Sequence, residues 1–278
     1  MFRVIFANMA EEMSGDEGLT LLIAFIIALV GGMRWCFTSF RVTRLGSPPG
    51  LRAGLFLVPP ICLALLFLVL VNCSAGDFRG DWRYIALFLC VGAAWLTVVG
   101  GVLLPILGLS PREDAMEGRN PAAVTAISGA LLGAMLCFAG SNVGEGPTIW
   151  TTIGPAALAT GALFTLFLLQ ELASSVVGSI VVDRDPASGL RLAALLVASG
   201  LILGRGMAGD YQSAENTLSD FVSQGWPAAV LTVAGTLLNH SLRPTPRVPR
   251  PRVLTRGAIP SFFYLAAAVA WALHLGHW

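Results

Sequence analysis

Residues 112–133 read REDAMEGRNPAAVTAISGALLG, and seventy-one positions later residues 183–204 read DRDPASGLRLAALLVASGLILG. Each stretch opens on charges, passes a proline and runs straight into an apolar segment with Ser and Gly at fixed places. In this register Asp114, Gly118, Ala122, Ala123, Ser128, Gly129, Leu132 and Gly133 recur as Asp185, Gly189, Ala193, Ala194, Ser199, Gly200, Leu203 and Gly204. One unit, a polar turn feeding a membrane-crossing helix, is used at least twice.

Outward from that unit the chain keeps the same character. Hydrophobic residues make up 55% of the 278 and charged residues 12%, with a mean hydropathy of +0.76. A soluble domain carries about 25% charged residues, so half of the usual water-facing charge is missing. The charges that remain sit in short clusters between apolar runs, each near the ~20 residues a helix needs to cross ~30 Å of hydrocarbon. A net charge of +1 and the lack of a basic face exclude a nucleic-acid partner; the partner implied is the lipid bilayer.

Taken in order, crossings fall at 19–33, 54–71 (with Pro59-Pro60 expected to kink it), 85–107, 121–140, 149–182, 190–207, 226–238 and 258–273. The expected fold is an all-α bundle of about eight transmembrane helices, partly built from duplicated two-helix hairpins. It forms one membrane domain, with a two-helix extension (1–83), a duplicated core (84–240), and an Arg/Pro-rich loop with the last helix (241–278). The fifth run would reach about 50 Å as one helix, so it must tilt, break near Gly154-Pro155, or leave the bilayer. The polar segment 209–225 is expected to hold a short surface helix, and the four prolines of 243–256 forbid a regular helix there. Residues Phe2, Val4, Ile5, Met9 and Met13 could line an interfacial helix. The acidic start is unlike a cleavable signal peptide.

All seventeen basic residues are Arg. Thirteen lie in the loops joining crossings one-two, three-four, five-six and seven-eight, against four on the other face. Cytoplasmic loops are the basic ones, so both termini are expected to face the periplasm.

The repeat extends further: Gly154-Pro155-Ala156-Ala157-Leu158 is echoed by Trp226-Pro227-Ala228-Ala229-Val230, and more faintly GLRAGLFLV at 50–58 by GLRLAALLV at 189–197. Two-helix units restore orientation, which makes the copies parallel. Gly129-x-x-x-Gly133 and Gly200-x-x-x-Gly204 mark close helix packing between the fourth and sixth crossings, because small residues decide contacts in lipid. The acidic turn with Gly-Arg-Asn-Pro-Ala-Ala, the Gly-spaced helix, and the second copy ending in Ala208-Gly209-Asp210 resemble the YjfL-like family. Its members are uncharacterised bacterial inner-membrane proteins with domain of unknown function 350. The resemblance covers roughly 85–238 and implies an inner-membrane location; it implies no activity, substrate or site residue. Arg191 stands where Asn120 does, a departure between the copies.

For chemistry, Glu171 stands out: a carboxylate about 16 Å by helical rise from Asp183 is costly in lipid and a functional candidate by default. Arg205 lies about 22 Å along the sixth run. The expectation is a buried Glu171–Arg205 pair, completed by Gln170 and Ser174 or Ser175; the alternative is a solvated Glu171 at the surface. Asn239-His240 close the seventh run at the interface, and His274-x-x-His277 are too few for a metal. The five cysteines are scattered without paired spacing, and no triad, Walker loop or dinucleotide fingerprint occurs. No catalytic residue, metal or cofactor is assigned. Three readings follow: a pathway for an ion or small solute along the repeat interface; a non-catalytic accessory or scaffold subunit, alone as a homo-oligomer or in a membrane complex; and, weakest, a membrane enzyme.

Overall fold

A computed structural model describes residues 14–41, 49–74, 81–245 and 252–276. Among these, eight helices are long and apolar enough to cross a membrane. They are α1 (Gly15–Arg41), α2 (Pro49–Cys73), α3 (Trp82–Ile106), α4 (Pro121–Gly140), α5 (Trp150–Ser174), α6 (Pro186–Arg205), α7 (Ala214–Leu242) and α8 (Leu254–His274). The described chain is all-α, and it is a multi-pass membrane protein. The N-terminal face of Phe2 to Met13, His277, and much of the Arg/Pro segment lie outside the described residues.

Local chemistry sets the helix ends. Asn120 caps α4, its Oδ1 accepting from the N–H groups of Ala122 (3.0 Å) and Ala123 (3.4 Å). Pro121 follows at the first helical position, where a missing N–H costs nothing. Asp185 and Pro186 repeat the device at α6. Within helices, proline shows itself differently. Ahead of Pro105 the backbone widens into a π-turn over Val99–Leu103, with the Leu104 N–H reaching back five residues to the Val99 carbonyl. The same happens over Leu254–Ala258 ahead of Pro260. A proline ring crowds the carbonyl four residues back, and a π-turn relieves that crowding.

Three expected boundaries change. The fifth run does not break at Gly154-Pro155: Pro155 lies inside α5, in its second turn, where it removes a single hydrogen bond. The break is at Ser175, in a left-handed conformation (φ 48°, ψ 46°), followed by a short helix, Val176–Val181. The polar segment 209–225 is no separate surface helix. From the Ser213 cap onward it is the first part of α7, whose 29 residues span about 43 Å and so extend beyond the hydrocarbon. The end of the Arg/Pro segment is helical, because α8 begins at Leu254.

The parallel, even-numbered helices touch in the order α2, α4, α6, α8, with α4 and α6 in the most extensive contact; α1 packs on α3, and α5 on α7. Burial follows the same layering: 78% of the apolar window of α4 and 83% of that of α6 are inside, against 17% for α1 and 22% for α7. The central pair is protein-facing and the outer helices give their large apolar side chains to lipid.

The landmarks of the two central units match at a different spacing from the sequence register. Left-handed Arg119 (φ 49°) and Arg184 (φ 53°) precede the Asn120-Pro121 and Asp185-Pro186 caps, and Gly144 (φ 108°) and Gly209 (φ 147°) follow the helices. These pairs are sixty-five positions apart, not seventy-one, and both helices are 20 residues long. Of the identities that suggest seventy-one, those from Ala122/Ala193 onward fall within both helices, whereas Asp114 and Gly118 precede α4 and their counterparts Asp185 and Gly189 cap or lie inside α6.

Candidate functional site

Helix α6 has two contrasting faces. Toward α4 it is closed by contact between backbones. A Cβ on Gly200 would lie 2.3 Å from the Gly133 carbonyl oxygen, one on Gly204 2.3 Å from that of Leu136, and one on Gly133 2.4 Å from that of Leu196. Gly129 faces Ala193, where a Cβ would lie 2.3 Å from the Ala193 Cα. Real side chains never approach so closely, so glycine is required and no lumen runs along this seam.

Toward α5 and α7 the same helix is polar. Asp185 accepts from the Ser188 N–H (2.9 Å) and the Ser188 hydroxyl (2.6 Å). The Arg191 guanidinium donates to Ser188 Oγ (2.9 Å), to Asn239 Oδ1 of α7 (3.0 Å), and to the Arg256 carbonyl at the start of α8. Asn239 Nδ2 in turn donates to Ser174 Oγ of α5 (3.2 Å), and Ser174 Oγ to the Gln170 carbonyl (2.9 Å). One continuous chain of hydrogen bonds therefore ties four helices together. Its side chains are almost wholly buried: Asp185 is 3% exposed, Ser188 0%, Arg191 3%, Asn239 1% and Ser174 3%. Asp185 compensates the Arg191 charge through Ser188 rather than by direct contact. A buried cation held only by neutral dipoles would be far more costly.

Four atoms at or near this junction are buried without a protein partner: Gln170 Oε1, Arg191 Nε, Ser199 Oγ, and the hydroxyl of Tyr264 on α8. Gln170 sits level with Gly235 of α7 and Leu195 of α6, since a Cβ on Gly235 would lie 3.6 Å from Gln170 Nε2 and 2.7 Å from Leu195 Cδ2. Arg191, Leu195 and Ser199 follow at i, i+4 and i+8 along one face of α6. The buried positions of α7, namely Asn239, Gly235, Thr232, Ala228 and Gly225, follow the matching helical period. Polar and small side chains, interrupted on α6 by Leu195, thus line the contact between α5, α6 and α7. Buried polar groups are normally bonded to protein or to ordered water.

The structure does not bring Glu171 and Arg205 together. Because α5 stops at Ser174, Glu171 lies one turn from a helix end, and its carboxylate accepts the Val177 N–H (2.7 Å). That caps the short helix beyond the Ser175 break. It is half-buried, between the two expected environments. Arg205 is at the far end of α6, donating to the Leu275 carbonyl (3.3 Å). It lies fourteen residues past Arg191, about 21 Å along the helix, while Ser174 is level with Arg191. Reckoning depth from Asp183 treats 171–182 as one straight helix, and the break at Ser175 removes that premise. Gln170 and Ser174 do lie at the polar junction, but they meet Asn239 and Gly235, not Arg205.

Asp185, Ser188 and Arg191 escape the sequence reading as site residues, and Asn239 enters it only with His240 at the close of the seventh run. The Asp-Pro cap was a usable signal for the first; the other three owe their meeting to helix packing. Asn239 is buried within the bundle three residues before the end of α7, while His240 beside it is exposed. His274 stacks against Trp271 (centroids 5.6 Å apart). Among the described residues no three His, Cys, Asp or Glu cluster as metal ligands. The Gly-rich link after α4 is pinned to the one after α6, with Gly209 donating to the Val143 carbonyl (2.9 Å), Tyr211 to the Glu145 carbonyl (2.7 Å), and the Glu145 N–H to Asp210 (2.8 Å). Comparison with protein families, with curated proteins and with solved structures gives no match to this chain.

Proposed function

We propose that this membrane protein provides a pathway for a small ion or solute along the α5–α6–α7 junction rather than along the glycine-closed α4–α6 seam. The observation that supports this reading is the buried polar contact, in which Gln170 Oε1, Arg191 Nε and Ser199 Oγ lack protein partners. Polar groups at membrane depth are costly and mark solute or proton routes when they line a hydrated path. Water in the contact would satisfy the three atoms and give a mobile solute its hydrogen bonds. The test is flux into liposomes carrying the purified full chain: proton entry under a potassium diffusion potential, sodium uptake, and glycerol entry by light scattering. Rates above those of empty liposomes, abolished by Ser199→Leu, are expected. Rates equal to empty liposomes for all three probes sink the pathway.

A second reading, an accessory or scaffold subunit, is favoured by the backbone-to-backbone closure of the central seam, which suits a rigid body better than a moving one. Stoichiometric partners co-purifying in mild detergent, or a homo-oligomer, would support it. We infer further that the chain sits in a bacterial inner membrane with both termini periplasmic, from the thirteen-to-four arginine asymmetry. A reporter fused after Trp278 that is active only in the cytosol would reverse that orientation. The matched caps and turns of α4 and α6 support an origin by duplication of a hairpin. Kinship to the YjfL-like family remains part of this proposal and rests on the motifs quoted above.

A further inference from the structure

A crevice of about 620 Å³ runs between α1, α2 and α3 and ends against Leu131 of α4. Its volume is that of a ligand site, roughly 300–1,000 Å³ in general, and its wall is overwhelmingly apolar. Sequence explains the space. Gly32 and Gly101 line the crevice and are exposed, and a Cβ at either would meet nothing within 4 Å, so both leave open space where a larger side chain would stand. Gly101 belongs to the π-turn ahead of Pro105, which widens α3 at this point. On the opposite wall stand Pro59 and Pro60. Pro59 has no N–H for the Leu55 carbonyl, and the Trp35 indole N–H takes that carbonyl instead (3.3 Å), fixing the ring at the edge of the crevice.

The crevice has a direction. Along α3 it extends from Ala93 to Pro105, about 18 Å by helical rise, close to half of the ~30 Å hydrocarbon thickness. It therefore spans one leaflet, from mid-membrane to the arginine-rich end of the bundle. Only two of its lining residues are charged, and both are cations: Arg34 and Arg112. They stand at the arginine-rich end, beside the hydroxyl-bearing Thr38 and Ser110. Arg112 also pairs with Glu117 (2.9 Å) and remains largely exposed; Arg34 is exposed and forms no ion pair with a described residue.

We propose that this crevice binds one anionic glycerophospholipid, with an acyl chain in the apolar cleft and the phosphate between Arg34 and Arg112. Apolar walls of this extent gain dispersion contacts from a chain that lies between them, and a lipid chain is the apolar molecule at hand. Arg34, together with the exposed Arg112 beyond its pairing with Glu117, selects the headgroup, as basic pockets between transmembrane helices do.

The test is native mass spectrometry of the full chain in mild detergent, with dioleoyl phosphatidylglycerol and dioleoyl phosphatidylcholine added at equal concentration. One phosphatidylglycerol is retained, about tenfold in preference to phosphatidylcholine. Arg34→Ala with Arg112→Ala brings retention down to the phosphatidylcholine level. Gly101→Leu, which fills the cleft, removes retention while the thermal midpoint stays put. Gly32→Leu serves the same purpose from the other wall if the first variant misfolds. Equal retention of both lipids, or retention unchanged by either leucine, overturns the proposal. So does a dimer that lipid cannot dissociate and that Gly101→Leu disperses, since the cleft would then hold a second copy.

Discussion

One helix, α6, meets its neighbours in two ways. Toward α4 the surfaces are glycine and alanine, the backbones touch, and each Cβ that evolution might add is excluded by a carbonyl two to three ångströms away. Toward α5 and α7 the surfaces are polar: Arg191, Asn239 and Ser174 are joined by hydrogen bonds, while Gln170 Oε1, Arg191 Nε and Ser199 Oγ are left without protein partners. In water, apolar burial would dominate both contacts. In lipid it contributes little between helices, which leaves close packing and polar pairing as the two available forces. The α4 face uses the first and tolerates no change of shape. The α5–α7 face uses the second, and polar pairing with unpartnered atoms accommodates water and small displacements. The rigid and the adaptable halves of the protein therefore lie on opposite sides of a single helix.

Substitutions test the contrast most severely on the packed face. Gly200→Leu must push its side chain into the Gly133 backbone, so folded protein should be lost in detergent, a cost above about 3 kcal/mol. Gly154→Leu, where nothing lies within 4 Å, should leave the thermal midpoint unchanged or raised. Equal tolerance of the two would break the comparison. On the polar face, Arg191→Leu strands Asn239, Ser188 and the Arg256 carbonyl, and thermal melts should show a loss of about 3 kcal/mol. Arg191→Lys should not restore it, because an ammonium cannot reach three acceptors in a fixed fork.

Glu171→Ala removes the cap of the short helix after Ser175 and should cost about 1 kcal/mol, with any measured flux unaltered. Loss of flux without loss of stability would return Glu171 to the pathway. The smallest effect sharpens the picture most. A double-mutant cycle between Asn239→Ala and Ser174→Ala should give a coupling near 0.6 kcal/mol, the usual size of an interhelical hydrogen bond in a membrane. Zero coupling would mean that water, not Ser174, satisfies Asn239.

Much of this is legible residue by residue. The Asn120-Pro121 dipeptide marks the start of α4, and the expected run 121–140 is the helix observed. The spacing of Gly129 with Gly133 and of Gly200 with Gly204 points to the seam they occupy. Glu171 misleads because a carboxylate in an apolar run looks buried until the chain is seen to turn at Ser175. Nothing local to that serine announces a left-handed residue. Arg191 and Asn239 are 48 positions apart, and each alone reads as a polar residue near a helix end.

The amino-acid sequence by itself determined the solvent: long apolar runs with clustered charges can satisfy their backbone groups in lipid only as helices, and their number follows from the thickness to be crossed. It also determined where close contacts are allowed, since only glycine lacks a Cβ. The tertiary structure alone decided which polar groups meet. Partners for a buried guanidinium come from whichever helices pack around it, and that packing depends on long-range contacts that no local pattern encodes.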